Sequence, residues 1–293
     1  MTEEFAGYSE EFNRLVTDAH KGHEGLAIYS EWITGQLTSV SSYLGNMVQQ
    51  LEYMIDEPIK KKKVLVFGCG FGGSSVALAL KGAEVYGVDI SRNCIAIAKR
   101  RAVEHGVSES VHLQYYRDTK RLDFPDNEFD IVTCEAVLEH ITGDRSVYIQ
   151  EMWRSLKQDG VLYISNTPNS LYPYDGHTTR LLFVPWMSAK WAKRYAVFRG
   201  RCLESDDLEL MGRRGMTYWS IVHALRGKGY YLIANSLSKN LVSYMLARKR
   251  LGNIKKKMSF PVLLVLNFVV ALPLQIPVGA LLPRLTFIGI RKR

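Results

Sequence analysis

The sequence predicts an α/β fold with a doubly wound, mostly parallel sheet of seven strands. From Val64 onward, short apolar runs alternate with amphipathic helical patterns, which is typical of parallel strands joined by crossover helices. A glycine cluster, GCGFGG at 68–73, follows the first apolar run, and Asp89 ends the second. Glycines after one strand and a carboxylate after the next are typical of doubly wound nucleotide-binding proteins.

The predicted elements follow in order along the chain. The strands are expected at 64–67, 85–89, 111–116, 129–135, 160–165, 230–236 and 285–293. Helices are expected from Val76, at 93–106, at 145–159 with Gly160 just past the end, and at 218–226. Residues 1–57 are predicted to be mostly helical, whereas 169–216 are rich in aromatics and arginine without a clear period.

The net charge of +9 conceals an uneven distribution of charge. Residues 1–189 hold 18 basic and 25 acidic residues, whereas 190–293 hold 20 basic and 4 acidic ones. This asymmetry predicts a basic surface that meets nucleic acid or a membrane. The four cysteines form no C-x-x-C pair, and the N-terminus lacks the apolar core of a signal peptide, so a reducing cytoplasm is expected.

The glycine cluster and Asp89 narrow the choice of ligand. Glycine allows the backbone to turn tightly and to approach a ligand closely. A carboxylate 21 residues after Gly68, at the end of the next strand, is placed to accept hydrogen bonds from ribose hydroxyls. A nicotinamide dehydrogenase is the alternative, but the LEHI segment after the fourth predicted strand has no role in such an enzyme.

Four segments together resemble one enzyme family. They are VLVFGCGFGGSSVALA, VYGVDIS, DTKRLDFPDNEFDIVTCEAVLEHI and LKQDGVLYISNTPN, which lie within about 60–170. In this order they resemble class I S-adenosylmethionine-dependent methyltransferases, with the Rossmann-like fold. The branch they resemble contains ubiquinone and menaquinone biosynthesis enzymes and many sugar and natural-product O-methyltransferases.

The resemblance implies S-adenosylmethionine as cofactor and assigns residues to its parts. Gly68, Gly70 and Gly72 would line the methionine part, Asp89 would hold the ribose, and Ile90 would lie against the adenine. Asp118 would face the adenine amino group with Thr119 beside it. Glu135 would flank the methyl-donor pocket, together with His140. A turn residue at Asp118 and a core residue at Ile90 are the alternatives.

Two histidines are the candidates for general base, because histidine suits proton transfer at neutral pH. His140 lies in the LEHI segment, and His177 follows the fifth strand, where this fold places acceptor-binding loops. Near His177, the predicted acceptor-binding residues are Tyr172, Tyr174, Asp175 and Arg180. A structural role is the alternative for each histidine. The histidines and carboxylates show no metal-ligand spacing, so no metal is expected.

An insertion at 239–284 is predicted between the last two strands. Its first half is basic, and 25 uncharged residues follow at 259–283. Pro273 and Pro277 interrupt a single helical span, and the next strand must return to the same sheet. A hairpin in one leaflet of an anionic membrane is therefore expected. A buried helical pair, a dimer interface and a true span are the alternatives.

The predicted organisation is a helical cap at 1–57, a cofactor-binding core at 58–168 and 217–238, an acceptor-binding insertion at 169–216, the membrane-associating insertion and a final strand at 285–293. The expected function is O-methylation of an amphipathic or lipid-linked acceptor by a cytoplasmic protein, peripheral on the inner face of a membrane. An RNA methyltransferase, a methyltransferase of a small soluble metabolite and a non-catalytic cofactor-binding subunit are the alternatives.

Overall fold

The computed structural model describes residues 8–232 apart from 23, 25, 27 and 28, the single positions 265, 269, 270, 273 and 276, and residues 278–292. Most of the insertion predicted at 239–284, including the proposed membrane hairpin, lies outside the described residues. In the part of the chain that is described, no helix has both the length and the apolar character needed to cross a membrane.

Seven strands form one sheet, as predicted. They are β1 Lys63–Phe67, β2 Glu84–Asp89, β3 Val111–Tyr115, β4 Phe129–Glu135, β5 Leu156–Pro168, β6 Tyr230–Leu232 and β7 Arg284–Arg291. Their spatial order is β3-β2-β1-β4-β5-β7-β6. The first five strands are parallel, and β7 runs antiparallel to both β5 and β6. The order reverses between β1 and β4, which is where ligands bind in open α/β sheets.

Helices cover both faces of the sheet. The helices of the described residues are α1 Glu10–Asp18, α2 Tyr29–Leu37, α3 Ser39–Tyr43, α4 Gln49–Ile55, α5 Gly73–Leu80, α6 Arg92–Glu104, α7 Ser146–Ser155, α8 Ala189–Phe198 and α9 Tyr218–Ala224, with a π-helical turn at Leu44–Val48. One core joins α4 and α5 to the sheet through Leu51 and Val76. The other joins α7 and α9 through Met152 and Ile221.

The N-terminal helices are joined to the sheet domain by a buried arginine. Arg101 of α6 is fully buried. Its guanidinium donates to the Ser39 hydroxyl and, over 2.9 Å, to the Gln36 carbonyl, and it lies 4.9 Å from the centre of the Phe12 ring. Contacts from one side chain to α1, α2 and α3 explain how a short helical cap is held over α6.

Two predicted segments differ from the structure. The helix expected at 145–159 ends at Ser155, because Leu156 pairs with Phe129 and begins β5 instead. Burial of Leu156 in the core outweighs the helical pattern that continues through 156–159. The segment 169–216, which has no clear period in the sequence, contains α8.

The insertion at 169–216 returns to the sheet at Gly215. The backbone of Gly215 has φ 61°, and Met216 N donates to the Pro168 carbonyl at the end of β5. A Cβ on Gly215 would lie 2.1 Å from that carbonyl oxygen. Only glycine therefore fits here without a shift of backbone.

We expect Gly215→Ala to lower the free energy of unfolding by about 3 kcal/mol, since the clash is with backbone that cannot rotate away. Gly106→Ala is the matched control. Gly106 also has positive φ, but nothing lies within 4 Å of its added Cβ, so this change should cost about 1 kcal/mol. Urea unfolding of both variants measures the difference, and equal losses would contradict the close packing at Gly215.

Candidate active site

The loop between β1 and α5 is fixed by backbone hydrogen bonds to the neighbouring strand. The amides of Gly68 and Cys69 both donate to the Val88 carbonyl over 2.9 Å. Gly70 has φ 51°, and a Cβ on it would meet nothing within 4 Å. The backbone at Gly70 therefore faces open space at the carboxyl edge of the sheet, where a ligand can approach it.

Gly68 and Gly72 are glycines for a different reason. Both have positive φ, and a Cβ would lie 2.4 Å from the Val137 side chain at Gly68 and 2.8 Å from that of Ala98 at Gly72. Protein atoms fill these positions, so the two residues shape the loop through packing. Any contact that they make with a ligand comes from their backbone atoms.

Asp89 ties the glycine loop to the end of β2. Its Oδ2 accepts from Gly70 N and its Oδ1 from Ser91 N, both over 2.8 Å. Each carboxylate oxygen keeps a second lone pair for a further donor. Ile90 follows with 64% of its side chain exposed, so an apolar surface stands beside the carboxylate.

Asp118 and Thr119 lie in the loop after β3 and differ in exposure. Asp118 is exposed, accepts from Lys120 N over 2.9 Å and pairs with the Lys120 ammonium at 3.2 Å. The backbone hydrogen bond from Lys120 contributes most to lowering the pKa of Asp118. Thr119 is buried. The turn that was the alternative for Asp118 is thus present, and its predicted adenine contact stays a prediction.

Glu135 lies at the end of β4 on the wall of a cavity of about 630 Å³. Its Oε1 accepts from the Ser165 hydroxyl over 2.5 Å and from Asn166 Nδ2 over 3.0 Å. Its Oε2 is buried and has no hydrogen-bond partner among the described residues. Burial raises the pKa of Glu135 to about 7.

The cavity lies between the N-terminal helices and the carboxyl ends of β4 and β5. Its wall is polar and apolar in about equal parts, and its polar side chains include Ser42, Asn46 and Gln50 from the helical side and Asn166, Arg284 and Thr286 from the strands. The rings of Tyr43 and Tyr163 add flat apolar surface. The space is of the size that holds small-molecule ligands.

His140 and His177, the two predicted bases, lie together. Their Nε2 atoms are 3.2 Å apart, and His140 Nδ1 is 2.7 Å from the Leu210 carbonyl. Since that carbonyl only accepts, neutral His140 carries its proton on Nδ1, and His177 Nε2 must donate to His140 Nε2. Burial lowers the pKa of His177 to about 4, so the pair is neutral at pH 7.

Glu139 completes this cluster. Its side chain is fully buried, its Oε2 accepts from the Thr167 hydroxyl over 3.1 Å, and its Oε1 lies 3.8 Å from His177 Nε2. Burial raises the pKa of Glu139 to about 7. The ligand atoms of Glu139, His140 and His177 lie within 4.8 Å of one another, and imidazole nitrogens with a carboxylate can hold a metal ion.

Spacing along the chain did not reveal this cluster. His140 and His177 are separated by β5 and by the start of the 169–216 insertion. Gly212, later in that insertion, packs on the cluster, since a Cβ there would lie 2.7 Å from Glu139 Cγ. The cluster is buried by tertiary packing, and the sequence around each histidine contains no pattern that predicts this packing.

Asp175 and Arg180 organise the loop around His177. Both carboxylate oxygens of the buried Asp175 accept backbone amides, from His177 and Thr178 on Oδ1 and from Thr179 on Oδ2, over 2.8–3.0 Å. Arg180 pairs with Glu31 of α2 over 2.6 Å. Both residues have structural partners in this arrangement, and neither lines the cavity beside Glu135.

Tyr172 and Tyr174 also lie outside that cavity wall. The Tyr172 hydroxyl donates to the Leu281 carbonyl, which ties the insertion to the segment before β7. Tyr174 is 48% exposed and forms a bridge with Leu182. The acceptor contacts predicted for Tyr172, Tyr174, Asp175 and Arg180 stay predictions, whereas the residues of the cavity wall other than Glu135 were missed.

Comparison with known proteins identifies the family of the chain. Residues 65–164 match the methyltransferase domain family. A ubiquinone biosynthesis O-methyltransferase of Hahella chejuensis is 33% identical over 165 residues, which cover 54% of this chain and 67% of that protein. The chain belongs to the S-adenosylmethionine-dependent methyltransferases.

Other relatives are similar over a shorter region. A ubiquinone biosynthesis O-methyltransferase of Actinobacillus pleuropneumoniae is 38% identical over 120 residues, which cover 39% of this chain and 49% of that protein. For most of these relatives the chain spans about half of their length. A methyltransferase structure from Methanosarcina mazei is 28% identical with a TM-score of 0.35, and the match covers 38% of this chain and 54% of that one.

The residues at the carboxyl edge of the sheet fit S-adenosylmethionine, the cofactor of this methyltransferase family. The open backbone at Gly70, the carboxylate of Asp89 and the exposed Ile90 offer contacts to a polar chain, to ribose hydroxyls and to a flat base. The bound cofactor supplies an electrophilic methyl group. These assignments of single residues remain the predictions made from the sequence.

We expect Asp89→Ala to weaken binding of S-adenosylhomocysteine by about 10- to 100-fold, because a carboxylate hydrogen-bonded to ligand contributes a few kcal/mol. Calorimetry measures the affinity, and circular dichroism checks the fold. Glu109→Ala, at an exposed position before β3, is the control and should bind as the wild type does. Unchanged affinity in a folded Asp89→Ala protein would contradict the ribose assignment.

Proposed function

We propose that this methyltransferase transfers a methyl group to a hydroxyl of an amphipathic or lipid-linked acceptor at a membrane surface. Similarity to ubiquinone biosynthesis O-methyltransferases supports O-methylation. The observation that carries the membrane part is an aromatic and basic surface on the 169–216 insertion. Sequence reasoning placed membrane contact in 239–284, whereas this surface lies among the described residues.

The aromatic part of this surface is on α8. Trp191 is 61% exposed and Phe198 85% exposed, and a separation of seven residues places both on one face of the helix. Together with Met187, Arg194 and other residues they line a shallow groove of about 680 Å³. Large aromatic side chains held in water are costly unless something covers them.

Basic residues surround these aromatic side chains. Arg194 lies 5.3 Å from the centre of the Trp191 ring. The other basic residues of this stretch are Lys190, Lys193, Arg199 and Arg201, and 189–201 contain no acidic residue. Tryptophan and phenylalanine beside lysine and arginine are typical of helices that lie in the interface of an anionic bilayer.

The same insertion connects the surface to the active site. It carries His177, and Gly212 packs on the cluster of Glu139, His140 and His177. Contact of α8 with lipid would therefore bring the insertion that carries His177 to the bilayer surface. This arrangement supports a lipid-linked acceptor over a small soluble metabolite.

An RNA methyltransferase is the second candidate, favoured by the basic excess of 190–293. Nucleic-acid-binding faces also combine basic and aromatic residues. A competition experiment distinguishes RNA from a membrane as the partner. If RNA is the partner, an oligoribonucleotide should displace the protein from anionic vesicles, and binding of the protein to the oligoribonucleotide should fall steeply with salt.

We expect the double change Trp191→Ala and Phe198→Ala to reduce binding to phosphatidylglycerol–phosphatidylcholine vesicles by about tenfold or more, because it removes apolar area that would enter the interface. Trp219→Ala is the matched control, since Trp219 of α9 is also exposed but lies outside the insertion. Vesicle flotation measures binding. Equal effects of the two variants would contradict the assignment of α8.

The activity itself is tested by tritium transfer. We expect the protein to move the methyl group of [methyl-³H]S-adenosylmethionine into an organic-extractable product when a total bacterial lipid extract supplies the acceptor. Mass spectrometry of the product then identifies the methylated atom. Transfer to RNA, or to water-soluble metabolites alone, would contradict the proposal of a lipid-linked acceptor.

A further inference from the structure

The lining of the cavity beside Glu135 differs from what the prediction of a histidine base would require. Neither His140 nor His177 lines it. Glu135 does, and the oxygen that has no hydrogen-bond partner among the described residues, Oε2, belongs to a carboxyl whose other oxygen is held by Ser165 and Asn166. A buried acceptor atom without a donor is costly, so a ligand that supplies a donor is expected there.

We infer that the cavity is the acceptor site for a compound with a hydroxyl on a small polar head, and that Glu135 takes the proton of that hydroxyl. The inference rests on the proposed methyltransferase function and names the base of the same reaction. Glu135 thereby replaces the two histidines in the role that sequence reasoning gave them, and it replaces the cofactor contact that the resemblance implies for Glu135.

The walls of the cavity fit such a head group. Ser42, Asn46 and Gln50 offer hydrogen bonds from the helical side, and Asn166 and Thr286 offer them from the strands. Gln50 is held in place because its Oε1 accepts from the Tyr163 hydroxyl over 2.9 Å. These polar side chains can bind the hydroxyl and carbonyl groups of a head group, whereas an aliphatic tail would have to leave through the mouth of the cavity.

The acceptor hydroxyl loses its proton to Glu135 as it receives the methyl group. The acceptor oxygen forms a bond to the methyl carbon as its hydrogen moves to Glu135 Oε2, and the electron pair of the methyl–sulfur bond stays on sulfur. The acceptor becomes a methyl ether, and Glu135 later loses the proton to water. Ser165 and Asn166 keep the carboxyl oriented during this step, since both donate to Oε1.

The ionisable groups around Glu135 agree with a base that works near neutral pH. Burial raises its pKa to about 7. Facing it are Tyr43 of α3 and Tyr163 of β5, whose pKa values are raised by burial. Arg284 of β7 also lines the cavity, and Cys134, the preceding residue of β4, lies in the core. Below pH 7 the carboxyl is protonated and cannot accept a proton, so turnover should rise with pH through about 7 and then level off.

The central variant is Glu135→Gln, which keeps size and removes the titratable group. We expect tritium transfer to fall by about 10²- to 10⁴-fold, with the pH-dependent rise near 7 lost. The affinity for S-adenosylhomocysteine should stay within about threefold. Glu128→Gln, just before the other end of β4, is the matched control and should keep both the rate and the pH profile of the wild type.

Two measurements do not depend on turnover. In protein labelled with [5-¹³C]glutamate, two carboxyl resonances should titrate near pH 7. One should disappear in Glu135→Gln and the other in Glu139→Gln. Binding of 4-fluorophenol to the protein loaded with S-adenosylhomocysteine, followed by ¹⁹F NMR, should be lost in Ser42→Phe, which fills the cavity from α3.

The results of these experiments distinguish a role of Glu135 as the base from a role as a cofactor ligand. A tenfold or larger loss of S-adenosylhomocysteine affinity in Glu135→Gln would make Glu135 a cofactor ligand and overturn the inference. It would also be overturned by a Glu135 carboxyl that titrates near pH 4.5, or by 4-fluorophenol binding that survives Ser42→Phe. A pH profile that is lost in His177→Gln and kept in Glu135→Gln would return the role to the histidine. Absence of tritium transfer in the wild type would contradict the proposed function instead.

Discussion

The site depends on the parallel alignment of β1, β2 and β4, which brings their carboxyl ends to one edge of the sheet. The reversal of strand order between β1 and β4 leaves that edge uncovered by a crossover. The glycine loop, Asp89 and Glu135 each follow or end one of these strands. No long-range contact is needed to assemble them beyond the pairing of the strands themselves.

Burial sets the chemistry of the groups next to this edge. Asp89 at the rim accepts hydrogen bonds from two backbone amides. Glu135 and Glu139, four residues apart in the sequence, are desolvated by burial, and the pKa of each is raised to about 7. The same burial lowers the pKa of His177 to about 4. Burial thus gives the protein two weak acids and a neutral imidazole next to this edge.

Much of the cofactor edge could be predicted from the sequence, because its signals are local. Four apolar residues followed by glycines, and Asp89 at the end of the next run, specify a strand, a turn and a rim carboxylate within a short segment. The convergence of His177 with Glu139 could not be predicted, because it depends on how 169–216 folds back. The cavity wall was missed for the same reason: Ser42, Asn166 and Thr286 come from elements with no shared pattern.

The position of β7 in the chain has a consequence for synthesis. β7 supplies Arg284 and Thr286 to the cavity but pairs with β5, which ends at Pro168. A ribosome adds about 5–20 residues per second, so β1 to β5 can pair several seconds before β7 emerges. The nascent protein therefore acquires its nucleotide edge first, with the flank of β5 still open. Until that flank is closed, it is a site for mispairing with other chains.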